Sequence, residues 1–160
     1  MSGAYISLLA HLAKAKVRFV LIGGYACIVH GGTQTTEDID ICCDFSPENL
    51  LRLGRALEGL NPVHRMTSKR LPLLLTPENC RNFKNLYLDT DLGQLDCIGT
   101  VQGIGDFVQV DKTGEIIEID GIRLKVLSRD VLIQSKKAMN RPRDQEAVRQ
   151  LEAIKKLQQR

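Results

Sequence analysis

The chain has 160 residues, of which 43% are hydrophobic and 26% charged, and its formal net charge at pH 7 is +3. This length is enough for one domain with a hydrophobic core, and the mild, dispersed positive charge does not by itself indicate a nucleic-acid-binding protein. With four Phe, three Tyr and no Trp, the chain also offers few aromatic rings for stacking on single-stranded bases.

The N-terminal part of the chain alternates between helix and strand signals. Helices are predicted at 4–14, 24–30 and 47–58, and strands at 17–22 and 38–44. Ser46 is a natural N-cap for the third helix, with Pro47 as its first residue and Gly59 as its stop. Gly31 and Gly32 suit the end of the second helix.

The middle of the chain consists of short β-prone runs separated by Gly, Pro, Asn and Asp. The predicted strands are 69–75, 85–90, 93–98, 116–120 and 122–127. The hairpin signal is strongest at "LDTDLGQLD", residues 88–96.

The last 33 residues predict two helices joined near Pro142, the first of them capped by Ser128. We therefore expect one domain over 1–160 of mixed α/β (α+β) class. Its core would be 1–127, with a pair of C-terminal helices, 128–160, packed on that core.

Cysteine usage and hydropathy indicate the compartment. The five cysteines form no C-x-x-C motif, and four of them lie in apolar runs, which favours a reducing environment. The N-terminus lacks the features of a signal peptide, and no apolar run approaches the roughly 20 residues that span a bilayer. The sequence predicts a soluble, cytoplasmic protein without a membrane partner.

Two aspartates stand one residue apart in a predicted buried strand, "DIDICC". Residues i and i+2 of a strand share a face, about 6.5 to 7 Å apart, so Asp38 and Asp40 project together while Ile39 and Ile41 face the core. Two ionised carboxylates beside a core are unfavourable unless a cation compensates them, and hard oxygen ligands suit Mg²⁺ or Mn²⁺. The strand therefore predicts a metal site.

A third carboxylate, Asp96, lies on another apolar strand, with Leu95 and Cys97 on its opposite face. Asp89 and Asp91 form a rival D-x-D pair. We discount this pair because "DTDLG" has the composition of a hairpin turn, where Asp bonds to the local backbone.

Gly23 and Gly24 connect a strand to a helix. Such glycines allow close backbone approach, and the N–H groups that open a helix favour an anion such as phosphate. The alternative is an ordinary strand-to-helix turn, and the absence of G-x-G-x-x-G argues against a dinucleotide site. Glycine turn and carboxylates together predict a site for a nucleoside triphosphate and metal ions.

These motifs resemble the nucleotidyltransferase fold superfamily typified by DNA polymerase beta. Its pattern is hG[G/S], a short spacer, Dh[D/E]h, and a later lone carboxylate on a strand. Here the spacer is 25–37, and "DIDI" and "LDC" supply the rest. Longer segments, "FVLIGGYACIVHG", "TEDIDICCDFSPENL", "LDTDLGQLDCIGTVQGIGDF" and "LSRDVLIQSKKAMNRPRDQEAVRQLEAI", are similar to small stand-alone prokaryotic nucleotidyltransferase-like proteins. That group is related to the minimal nucleotidyltransferases and to the nucleotidyltransferase-type toxins of toxin–antitoxin pairs.

The resemblance implies a mixed twisted sheet flanked by helices, and roles for individual residues. The matching positions are Asp38, Asp40 and Asp96 for metal binding and catalysis, and Gly23, Gly24, Thr36 and Lys136 for the nucleotide. Arg141 and Asp144 belong to the same helical motif as Lys136. One departure is Gln34, which stands where relatives often have Arg. Thr36 and the C-terminal basic residues can partly compensate for the missing positive charge.

The implied activity is Mg²⁺- or Mn²⁺-dependent transfer of a nucleoside monophosphate from a triphosphate such as ATP to an acceptor, with release of pyrophosphate. The acceptor, a protein, an RNA such as tRNA, or a small molecule, stays open. An alternative is a non-catalytic nucleotide-binding module that regulates or pairs with a toxin–antitoxin partner protein. Direct nucleic-acid binding is a third, less favoured reading, and His30 and His64 are expected to be structural.

Overall fold

A computed structural model describes residues 3–159 and contains one seven-stranded mixed sheet with flanking helices. The helices are α1 (Gly3–Lys14), α2 (Gly23–Val29), α3 (Pro47–Ala56), α4 (Phe107–Thr113), α5 (Arg129–Met139) and α6 (Pro142–Gln158). The strands are β1 (Phe19–Ile22), β2 (Asp38–Cys43), β3 (Val63–His64), β4 (Asn85–Thr90), β5 (Gly93–Ile98), β6 (Thr100–Val101), β7 (Gly105–Asp106), β8 (Gly114–Ile119) and β9 (Ile122–Leu127). Among residues 3–159, no helix combines the length and apolar character needed to cross a bilayer.

The strand order in the main sheet is β3-β4-β5-β2-β1-β9-β8, while β6 and β7 form a separate two-stranded ribbon. Strand β2 lies at the centre, antiparallel to β1 and parallel to β5. The outer strands on both sides are added by antiparallel pairs, β3 with β4, β4 with β5, and β8 with β9. This mixed α/β architecture agrees with the fold class predicted from the sequence.

The central strands alternate between a buried and a partly open face. Ile39 and Ile41 are fully buried on one face of β2, while Asp38 and Asp40 are only half-buried on the other. Leu95 of β5 is fully buried, as is Cys97 two residues later. The alternation along these strands thus places apolar residues on the core face and carboxylates on the opposite face, as the sequence predicted.

The predicted helix starts agree with the structure. The hydroxyl of Ser46 accepts a hydrogen bond from the backbone N–H of Asn49, and that of Ser128 from the N–H of Val131. At the joint between the last two helices, Asn140 adopts a left-handed conformation with φ of 51° and ends α5 before α6 begins. Helix α2 begins directly at Gly23, one residue earlier than predicted.

The predicted strand at 69–75 is wrong. This segment makes only an isolated bridge between Val63 and Pro72, and the regular strand is β3, which precedes it. Pro72 lacks the N–H that a ladder needs, which prevents a regular strand here. Leu71 and Leu74 are 56% and 68% exposed, while Leu73 and Leu75 are partly buried and pack against the core.

Helix α4 and the β6–β7 ribbon have no counterpart among the predicted elements. Helix α4 begins with a reciprocal capping box in which the Asp106 side chain accepts from the Gln109 N–H and Gln109 bonds back to the Asp106 N–H. The D-x-x-Q spacing just before an apolar residue was the available signal in the sequence.

The cysteines lie in the core, and His30 and His64 contact other parts of the fold. All five cysteines are free and buried. His30 bonds through Nε2 to the carbonyl of Leu127 at 2.8 Å, and the His64 ring stacks on Phe83 with centroids 6.0 Å apart.

Candidate metal and nucleotide site

Three carboxylates converge on the open face of the central strands. One carboxylate oxygen from each of Asp38, Asp40 and Asp96 lies within 4.8 Å of the other two. The register causes this convergence, because Asp40 of β2 lies directly beside Asp96 of the parallel strand β5. Three oxygen donors this close form a donor set that fits Mg²⁺ or Mn²⁺.

Burial and crowding perturb the protonation of two of these carboxylates, Asp40 and Asp96. Burial, together with the negative charges of Asp96 and Asp38, raises the pKa of Asp40 from 3.8 to about 7, against the opposing charges of Lys136 and Arg143. Burial also raises the pKa of Asp96, although Arg65 acts in the opposite direction. Since the ionised forms of Asp40 and Asp96 are destabilised by burial and by neighbouring negative charge, a divalent cation bound beside them would relieve the repulsion.

The rival D-x-D pair does not join this cluster. Asp89 lies in strand β4, within the predicted strand 85–90, rather than in the turn that the composition of "DTDLG" suggested, and its carboxylate pairs with Arg70. Asp91 lies in the turn and accepts a 2.6 Å hydrogen bond from Asn61. Both members thus have partners of their own within the protein.

Arg65 is a residue of the site that the sequence analysis missed. Its Nη2 donates a hydrogen bond to Asp96 Oδ1, and its Nε lies 3.8 Å from Asp89 Oδ1. The backbone N–H of Arg65 donates to the carbonyl of Tyr87 at 2.8 Å, directly after the short β3–β4 pairing. No sequence motif marks Arg65, because its position depends on strand β3, which the sequence did not predict.

Close packing explains both glycines of the strand-to-helix turn. Gly23 has a φ of +70°, and a Cβ added there would lie 2.3 Å from Asp40 Oδ2. A Cβ added to Gly24 would lie 2.8 Å from the Cβ of Thr36. The two glycines therefore let Asp40 and Thr36 pack directly against the start of α2.

The carboxylates open into a cleft of about 710 Å³, a volume typical of small-ligand sites. Its walls include all seven residues predicted for the site: Asp38, Asp40, Asp96, Gly23, Gly24, Thr36 and Lys136. Gln34 also lines the cleft, and its side-chain oxygen is buried without a hydrogen-bond partner. A second cavity, of about 600 Å³ beside α3, contains none of these residues.

Lys136 is a buried wall of the cleft rather than a solvated helix face. Its side chain is 8% exposed, and its Nζ lies 3.4 Å from Asp144 Oδ1. Arg141 Nε donates to the other oxygen of this fully buried carboxylate at 2.6 Å. Burial would raise the pKa of Asp144, but hydrogen bonds from Arg141 and the charge of Lys136 outweigh it and lower that pKa. Asp144 thus holds two positively charged side chains, Lys136 and Arg141, at the cleft.

Comparison with solved structures identifies the fold class. The chain is similar to the lincosamide antibiotic adenylyltransferase LnuA bound to lincomycin, with a TM-score of 0.63 and 19% identity over 96% of this chain and 98% of that one. It is similar to TM1012 from Thermotoga maritima, with a TM-score of 0.59 and 20% identity over 98% and 91% of the two chains. It is similar to the antibiotic-resistance factor ANT(2'')-Ia, with a TM-score of 0.58 and 14% identity over 98% of this chain and 89% of that one.

No family model and no curated protein sequence matches the chain. The structural similarity nevertheless extends over nearly the whole length of both partners in each comparison. The chain therefore has the nucleotidyltransferase fold, as the resemblance of its motifs predicted.

The raised pKa of Asp40 predicts a pH-dependent loss of stability in the cation-free protein. Because the folded-state pKa of about 7 exceeds the usual 3.8, the native state holds more protons between these values, and unfolding becomes easier as the pH rises through this window. We expect a loss on the order of 1 to 3 kcal/mol after allowance for solvent screening. Thermal unfolding in EDTA at pH 5, 6, 7 and 8 would measure it.

Mn²⁺ is expected to raise the unfolding temperature more at pH 8 than at pH 5, where it must displace a proton. The control is Asp40→Asn, which lacks the titrating group. This variant should be more stable than the wild type in EDTA at pH 8, and its response to Mn²⁺ should be lost. A difference in unfolding temperature between the wild type and Asp40→Asn in EDTA that does not change from pH 5 to pH 8 would contradict the prediction.

Proposed function

We propose that this protein is a metal-dependent nucleotidyltransferase that transfers a nucleoside monophosphate from a nucleoside triphosphate to an acceptor and releases pyrophosphate. The observation that carries the proposal is the convergence of Asp38, Asp40 and Asp96 in the cleft of a nucleotidyltransferase fold. The same cleft contains the glycine turn and Lys136.

Asp38 and Asp40 would hold the metal, Mg²⁺ or Mn²⁺. When bound, such a cation neutralises phosphate charge and stabilises the attacking and leaving oxygens. Asp96 lies beside Asp40 and would accept the proton of the attacking acceptor group. A bond forms between the acceptor atom and the α-phosphorus, the bond from that phosphorus to the bridging oxygen breaks, and pyrophosphate leaves with the electron pair.

The triphosphate would lie toward the glycine turn and the C-terminal helices. Lys136, Arg141 and Arg143 all line the cleft and supply positive charge on this side. Gly23 and Gly24 allow close approach of the backbone, and Thr36 adds a hydroxyl. These groups would compensate for the neutral Gln34, which stands where relatives often carry Arg.

A labelling experiment tests the proposal. Each labelled triphosphate, ATP, GTP, CTP or UTP, is incubated with the protein, Mg²⁺ or Mn²⁺ and a cell extract, and the label is followed into protein, RNA and small-molecule fractions. LnuA was solved with lincomycin, and ANT(2'')-Ia with adenylyl-2''-tobramycin, so antibiotics and related hydroxylated compounds are the first small molecules to add. We expect cation-dependent label in one fraction together with pyrophosphate release.

A second candidate is a non-catalytic nucleotide-binding or toxin–antitoxin module. The missing charge at Gln34 and its buried, unpartnered side-chain oxygen favour this alternative. Such a module would bind triphosphates in a titration without releasing pyrophosphate in any extract, and that result would contradict the enzymatic proposal. The free, buried cysteines support a cytoplasmic location for either function.

A further inference from the structure

We propose that Arg65 is a positioning residue that orients the Asp96 carboxylate and weakens cation binding at the three-carboxylate cluster. The inference rests on the proposed function and deepens it. Its basis is the hydrogen bond from Arg65 Nη2 to Asp96 Oδ1, which places a full positive charge on one carboxylate of the three-carboxylate cluster.

The Arg65 side chain is held from two directions. Its guanidinium lies between Asp96 and Asp89, with Nε 3.8 Å from Asp89 Oδ1, and only 19% of the side chain is exposed. Its backbone is tied to β4 through the carbonyl of Tyr87. Arg70 contacts the other oxygen of Asp89, so charges alternate from Asp96 through Arg65 and Asp89 to Arg70.

This arrangement has two opposite consequences. The planar guanidinium fixes the direction of the Asp96 carboxylate, which benefits a group that must take a proton from an acceptor. Its charge also repels a divalent cation at the same carboxylates, by roughly tenfold in affinity after solvent screening. Removing the charge should therefore tighten cation binding and slow nucleotidyl transfer. If Arg65 only supported the local structure, its substitution would weaken cation binding and slow transfer together.

The test measures Mn²⁺ binding by calorimetry on the full chain without nucleotide, and nucleotidyl transfer separately. Arg65→Met is expected to bind Mn²⁺ about tenfold more tightly and to transfer about tenfold more slowly. Arg65→Lys keeps the charge and should retain an Mn²⁺ affinity close to that of the wild type. The matched control is Arg70→Met, which loses an arginine that contacts Asp89 but not Asp96. Its Mn²⁺ affinity and its transfer rate should both stay within about twofold of the wild type.

Wild-type or weaker Mn²⁺ affinity in Arg65→Met overturns the inference. If circular dichroism shows that this variant is unfolded, Arg65→Gln replaces it, because it keeps a donor for Asp96 without the charge; an unchanged Mn²⁺ affinity there has the same meaning. A wild-type protein that binds no Mn²⁺ overturns the proposed metal site itself. The two failures are therefore distinguishable.

Discussion

The double substitution of Asp38 and Asp40 by Asn is expected to abolish cation-dependent nucleotidyl transfer, lowering its rate on the order of a thousandfold or more. Both carboxylates belong to the cluster whose oxygens lie within 4.8 Å of one another, and Asn supplies no charge to hold a divalent ion. Pyrophosphate release and label transfer, measured with the triphosphate and acceptor found for the wild type, would quantify the loss. The unfolding temperature shows whether the fold persists.

The matched control for this experiment is Asp91→Asn. It makes the same chemical change in the rival D-x-D pair, where Asp91 is exposed in a turn and its carboxylate accepts a hydrogen bond from the Asn61 side chain. We expect near wild-type transfer from this variant. An undiminished rate in the Asp38/Asp40 double variant would rule out the proposed mechanism.

Substitution of Gly23 by Ala is the second change with a large expected effect. The new methyl group would lie 2.3 Å from Asp40 Oδ2, and the φ of +70° is strained for any residue with a Cβ. We expect a destabilisation of about 2 to 4 kcal/mol, together with loss of Mn²⁺ binding because Asp40 must move. Urea unfolding and Mn²⁺ titration would measure the two effects.

Gly59→Ala separates backbone strain from the clash. Gly59 has a similar φ of +81°, but no atom lies within 4 Å of an added Cβ. This variant should lose only about 1 kcal/mol and bind Mn²⁺ normally. Equal Mn²⁺ affinities in the two glycine variants would show that Asp40 does not depend on its contact with Gly23.

Local patterns were sufficient for much of this protein. The alternation in "DIDICC" placed Asp38 and Asp40 on one face and Ile39 and Ile41 in the core, since strand geometry relates neighbours two residues apart. Ser46 and Ser128 marked helix starts in the same way, because a cap needs only the next turn of the chain. The apolar strand around Asp96 supplied a candidate third carboxylate, and the resemblance of the motifs assigned it to the same site.

Other features depended on contacts between distant segments. The apolar run 69–75 has the composition of a strand, yet it pairs only through an isolated bridge between Val63 and Pro72, because Pro72 has no N–H to extend a ladder. Arg65 contacts Asp96 only because a two-residue strand pairs with β4. Hydrophobic periodicity reports which side of an element is buried, whereas the pairing of strands decides which polar side chains meet, and that pairing exists only in the folded chain.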